Sequence, residues 1–83
     1  MARGKWLKSR LLRIARSAYN SGNYNSSLRR SKFASIIYKD AAFLDITARS
    51  AMRQKRFGLA AKVYRKAGSY GWVLRDHFEN QFN

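Results

Sequence analysis

Residues 11–18 read Leu-Leu-Arg-Ile-Ala-Arg-Ser-Ala, and residues 44–51 read Leu-Asp-Ile-Thr-Ala-Arg-Ser-Ala. The two stretches lie 33 positions apart; Leu11 meets Leu44, and residues 15–18 return unchanged as 48–51. Both carry apolar or small side chains at three- and four-residue steps: Leu7, Leu11, Ile14, Ala15 and Ala18, then Phe43, Leu44, Thr47, Ala48 and Ala51. At 100° per residue each set forms one stripe along a helix. Lys5, Arg10, Arg13 and Arg16 point away from the first stripe, so the opening helix has an apolar side and a cationic side.

Working outward, the first stripe ends in Asn20-Ser21-Gly22-Asn23-Tyr24-Asn25-Ser26, whose glycine and three asparagines read as a turn. A second helix is expected from about Ser26 to Lys39. Asp40 then stands where an N-cap is needed, its carboxylate able to accept from the first exposed backbone N–H groups of a third helix. Within that helix Asp45 and Arg49 are spaced i,i+4 with the acid first, the favourable order. After Lys55-Arg56-Phe57-Gly58 a fourth helix holds Leu59, Ala60, Val63, Tyr64 and Ala67, with Gly68 or Gly71 to end it. A last helix is expected over 72–82. The chain contains no proline and no alternating run that would make a strand. The expected fold is all-α in one domain, residues 1–83: one helical hairpin over about 4–39, a second over about 40–67, and a terminal helix capping the stack.

An internal period of about 33–34 residues built from two helices is the mark of a helical-hairpin repeat. Under the 33-residue shift Tyr24 meets Phe57, Ser27 meets Ala60 and Ala34 meets Ala67. On these positions, and on the run Tyr64-Arg65-Lys66-Ala67, residues 8–67 resemble the tetratricopeptide repeat. The closing proline of that pattern is missing, and Ser27 and Ser31 replace two of its larger side chains. The resemblance implies that the first helix of each hairpin lines an inner groove, with Arg16, Tyr19 and Asn20 from one copy and Arg49, Met52 and Arg53 from the other.

The charge decides the partner class. Eighteen Lys and Arg against four Asp and Glu give +14 on 83 residues. All four acids lie beyond residue 39, so the first 39 residues carry ten basic side chains and no acid. Like charges at this density repel and destabilise the compact state unless a polyanion screens them. Aromatic residues make up 14% of the chain, too many for a disordered basic tail. The partner is therefore a nucleic acid, an anionic membrane or a strongly acidic protein. No apolar run is long enough to span a bilayer. The acid-free opening helix has the composition of a transit peptide or membrane-surface helix, but residues 11–18 supply half of the internal repeat and belong to the fold.

Eleven of the 18 cations are arginine, whose planar fork donates two parallel hydrogen bonds to phosphate. Three clusters are candidates for phosphate contact. The opening helix carries Arg3, Lys5, Lys8, Arg10, Arg13 and Arg16; the second group is Arg29, Arg30 and Lys32; the third is Arg53, Lys55 and Arg56, extended by Lys62, Arg65 and Lys66. Arg49 joins them as the copy of Arg16, and Tyr19 and Tyr24 nearby offer rings on which unpaired bases can stack. With no helix-turn-helix or zinc-finger signature, RNA of little sequence specificity is favoured over duplex DNA.

Nothing in the sequence calls for an enzyme, a cofactor or a metal. Cysteine is absent, the glycines are scattered singly, and His77 is the only histidine. Its neighbour Asp76 points about 100° away on a helix, which rules out an easy dyad or metal pair. In size, charge and acid-free first half the chain resembles small, highly basic bacteriophage proteins, the inhibitors of type III toxin–antitoxin ribonucleases (ToxN-inhibitory factors). That resemblance implies an antagonist in the host bacterial cytoplasm that binds RNA and draws a toxin ribonuclease into a ribonucleoprotein complex. Two other readings fit the same charge: a helical scaffold for an acidic protein or peptide, and a small ribosome-associated structural protein.

Overall fold

A computed structural model describes residues 2–71, with side chains from Trp6 onward. The expected terminal helix over 72–82 lies outside the described residues, as do His77, Asp76 and Glu79. Four helices follow one another: α1 (Ala2–Asn20), α2 (Tyr24–Ile37), α3 (Ala41–Arg53) and α4 (Phe57–Ser69). Short turns fold α1 back on α2, α2 on α3 and α3 on α4, and α1 also touches α3. This is an all-α stack of two helical hairpins, and no strand occurs among the described residues.

The 33-residue period extends to the backbone. In the first turn the amides of Ser21, Gly22 and Asn23 donate to the carbonyls of Ser17, Tyr19 and Ala18 at 3.0, 3.0 and 2.9 Å. In the second turn Gln54, Lys55 and Arg56 donate to Ser50, Met52 and Ala51 at 3.1, 3.0 and 2.8 Å. Every partner is displaced by the same 33 positions. Each set closes its helix with the paired bonds that follow a left-handed residue. That residue is Gly22 (φ 85°) in the first turn and Lys55 (φ 59°) in the second.

Two boundaries differ from the sequence reading. Helix α2 begins at Tyr24, two residues early, because the Asn23 side chain accepts from the Ser26 amide and caps the helix. It ends at Ile37, since Tyr38 is extended (φ −114°, ψ 121°) to lead into the extended N-cap at Asp40. Asp40 caps α3 as expected, accepting from the Ala42 amide at 2.9 Å. It also pairs with Lys8 of α1 at 2.6 Å, tying the joint between the hairpins to the opening helix. The Lys8 ammonium and the Ala42 amide hold the Asp40 carboxyl below its ordinary value. Helix α4 stops at Ser69, with Gly71 at φ 77° just beyond.

The core is built from small side chains. Ala15, Ala34, Ala48, Ala51, Ala60 and Ala67 are buried, with Phe43, Leu28, Leu44, Ile46 and Val63 as the larger members. Phe43 stacks on Tyr38 with ring centroids 6.1 Å apart. Ser27 and Ser31 of α2 are fully buried against α3, where Ser27 Oγ meets Ser50 Oγ at 2.6 Å and Ser31 Oγ meets Thr47 Oγ1 at 2.8 Å. A hydroxyl has one proton. Thr47 Oγ1 also lies 2.8 Å from the Phe43 carbonyl, Ser27 Oγ 3.0 Å from the Tyr24 carbonyl and Ser31 Oγ 3.3 Å from the Leu28 carbonyl, so in each pair one hydroxyl can bridge the helices while the other bonds its own backbone. Each buried hydroxyl is thereby satisfied, which burial without a partner would make costly.

Candidate nucleic-acid interface

Helix α1 shows how the stack acquires a charged end. In α3 the positions Phe43, Ile46, Thr47 and Ser50 are all buried. Their equivalents 33 residues earlier are Arg10, Arg13, Ile14 and Ser17; all but the half-buried Ile14 are exposed. The face that α3 buries in the stack is turned to solvent in α1 and is carpeted with arginine. Arg16 extends the stripe, and the Arg10 guanidinium lies 5.4 Å from the centre of the exposed Trp6 ring. A cation over an indole face is held by the ring quadrupole without losing its outward donors.

Where the hairpins meet, the structure brings Tyr19, Tyr24 and Arg53 together. Arg53 Nε donates to the Tyr19 hydroxyl at 3.2 Å, and its guanidinium sits 5.9 Å from the Tyr24 ring centre. The two tyrosines meet edge to face at 5.3 Å. Of the residues that the sequence pattern placed along an inner groove, Tyr19 and Arg53 meet in a contact between α1 and α3. Arg49 differs from its copy Arg16. It is half-buried and its Nε lies 3.4 Å from Asp45, the i,i+4 partner read from the sequence, whereas Arg16 is exposed.

The second turn adds Lys55 and Arg56, both exposed. Both stand where the backbone asks for something else. A left-handed conformation costs a residue with a Cβ about 1–2 kcal/mol, and the first hairpin meets that demand with glycine. An N-cap wants a side-chain acceptor, and a cation there opposes the helix dipole. The first hairpin supplies Asn23, whereas Arg56 makes no side-chain cap bond to α4. Two cations replace the residues that local structure prefers.

The remaining candidates do not gather at one place. Arg29 and Arg30 are exposed on α2, with Arg30 Nε donating to Ser26 Oγ at 3.1 Å, and Arg65 is exposed on α4. Lys32 and Lys66, with Lys62, border a separate groove between α2 and α4. Leu44 lines that groove, and Arg53 lies nine positions further along α3, a half-turn from it on the helix wheel. The groove and the arginine cluster therefore occupy opposite sides of α3. Sequence reasoning missed Trp6, whose signal was its i,i+4 spacing from Arg10.

Among the described residues both carboxylates, Asp40 and Asp45, are in ion pairs within the fold. The field outside is left strongly positive. No group of three metal-ligating side chains occurs among the described residues, and none of their helices is long and apolar enough to cross a membrane. Comparison of the chain with protein-family models, curated proteins and solved structures finds no match.

Proposed function

We propose that this chain is a non-enzymatic RNA-binding protein whose interface is the arginine face of α1, the Tyr19–Tyr24–Arg53 cluster and the second turn. The observation that carries the reading is the pair Lys55 and Arg56. Charge stands there at the expense of local stability, in a molecule whose +14 already opposes folding. Departures from local preference of this kind are characteristic of functional positions. Arginine forks hold phosphates, the tyrosine rings offer faces to unstacked bases, and nothing in the site selects a base edge. The protein therefore recognises single-stranded RNA by backbone and stacking, with little sequence preference.

Antagonism of a toxin ribonuclease, which the sequence resemblance implies, needs no more than this. RNA held on the arginine face brings the nuclease bound to the same RNA into one complex, in the bacterial cytoplasm where both would be found. The test is a salt titration with single-stranded RNA. Each phosphate neutralised contributes a slope of about −0.7 in log K against log salt. The triple variant Arg10→Ala, Arg13→Ala, Arg16→Ala is expected to flatten the slope by up to about 2. An unchanged slope, or indifference to RNA at low salt, overturns the proposal.

A further inference from the structure

Helices α2 and α4 stand on either side of α3 and leave between them a groove of about 330 Å³. Its surface is apolar at Leu44, Leu59 and Val63. Lys32 from α2 and Lys62 and Lys66 from α4 border it, and among the described residues no carboxylate lines it. On α2 the apolar surface continues outward: Phe33, Ile36 and Ile37 are 61%, 74% and 55% exposed, and Ile36 lines the groove itself. These three residues are spaced i, i+3, i+4 and form one stripe. A contiguous exposed apolar stripe of this kind is a mark of an interaction surface.

We infer that this groove docks an acidic amphipathic helix of a partner protein. The shape is that of helix-in-groove recognition, two helices forming walls over a third. The walls are formed by residues 32–36 of α2 and 59–66 of α4, the longer about 12 Å, the length of a two-turn helix. The chemistry of the border selects the occupant. The cations lining the groove are all lysine, compact ammonium groups on flexible stems suited to single carboxylates, whereas the RNA face is dominated by arginine. Among the described residues neither an arginine fork nor an aromatic ring lines the groove, so the features that hold phosphate backbones and unpaired bases are not gathered there. A flat bilayer would rest on Ile36 and Ile37 without filling the concavity. An occupant with leucine-like residues at i, i+3, i+4 and i+7 and glutamates on both flanks satisfies floor and border together. This proposal does not depend on the RNA reading, because none of the residues placed in the RNA interface lines the groove.

The experiment uses the full chain and two fluorescein-labelled peptides of identical Leu, Glu and Ala composition, one with helical amphipathic spacing and one permuted. Binding is followed by anisotropy at about 0.15 M salt, where surface fields are screened beyond about 8 Å. The amphipathic peptide is expected to bind at least about 10-fold more tightly than the permuted one. Ile36→Glu and the pair Lys32→Glu, Lys66→Glu should each abolish that preference, while Ile36→Glu leaves RNA affinity within about 3-fold. Ile36 is 74% exposed, so its replacement leaves the core intact, and an unchanged thermal melt verifies this. Equal binding of the two peptides, or a preference that survives Ile36→Glu, overturns the proposal. It also falls if Ile36 is found to mediate binding to anionic vesicles or self-association while neither peptide is preferred.

Discussion

Transplanting the first turn into the second hairpin tests the central argument in one variant. Lys55→Gly with Arg56→Asn recreates the Gly22-Asn23 pair at the equivalent positions. Relief of the left-handed backbone is worth about 1–2 kcal/mol, from which the entropy that glycine adds to the unfolded chain removes about 0.5–1. A side-chain acceptor at the N-cap adds about 1 kcal/mol. The sum is about 1–2.5 kcal/mol, which raises Tm by roughly 4–20 °C in a domain this small. Loss of two positive charges also eases repulsion, so Lys55→Gln with Arg56→Gln serves as a control with the same charge but neither backbone nor cap advantage. Both are followed by circular dichroism in thermal and urea melts. The reciprocal change, Gly22→Ala, should cost about 1 kcal/mol; a Cβ there meets nothing within 4 Å, so the loss reports backbone conformation alone. The more stable variant should bind RNA less well, with a salt slope flatter by up to about 1.4. Stabilisation no greater than the glutamine control refutes the backbone argument, and undiminished RNA binding removes the turn from the interface.

Arg53→Lys keeps the charge and loses the planar fork; RNA affinity should fall about 3- to 10-fold with the salt slope unchanged, separating geometry from field. Asp40→Asn keeps the α3 cap and loses the Lys8 pair, lowering stability near neutral pH by up to about 1 kcal/mol, the pair being partly exposed. Because the folded carboxyl is held below its ordinary value, its contribution is present above about pH 4 and disappears as pH falls through the lowered pKa. The deficit of the variant should vanish over the same range in melts. Asp40→Ala loses the cap as well, a further cost of about 1 kcal/mol. Ser27→Ala and Ser50→Ala should each cost about 1 kcal/mol, and the double variant less than their sum, since the second change removes a bond already broken.

Much of the architecture can be read before any coordinates. Leu11, Ala15 and Ala18 announce α1 by spacing, Asp40 announces the start of α3 by chemistry, and the Asp45–Arg49 pair is written in its i,i+4 order. The serines of α2 are different. Ser27 and Ser31 read as departures from the repeat because a hydroxyl carries no sign of whether it meets water or another helix. Only the approach of Ser50 and Thr47 decides. Lys55 likewise gives no local hint of a left-handed backbone, which becomes visible only when Gly22 is aligned with it. The candidate cations were legible as a set but not as surfaces. Lys32 and Lys66 stand in the sequence beside arginines, yet folding assigns them to the α2–α4 groove, and Asp45 draws Arg49 away from its role as a twin of Arg16. The stripe of Phe33, Ile36 and Ile37 was hidden because the repeat positions of α2 follow its other side.

The arginines on the outer side of α1 also determine how such an array can lengthen. A hairpin packed against α1 as α2 packs against α3 would bury Arg10 and Arg13 at positions where α3 holds Phe43 and Ile46. Such a neighbour would have to bring carboxylates to both guanidiniums or leave them their water, because an uncompensated buried charge is costly. The opening helix therefore gives the array a hydrated side where α3 has an apolar one.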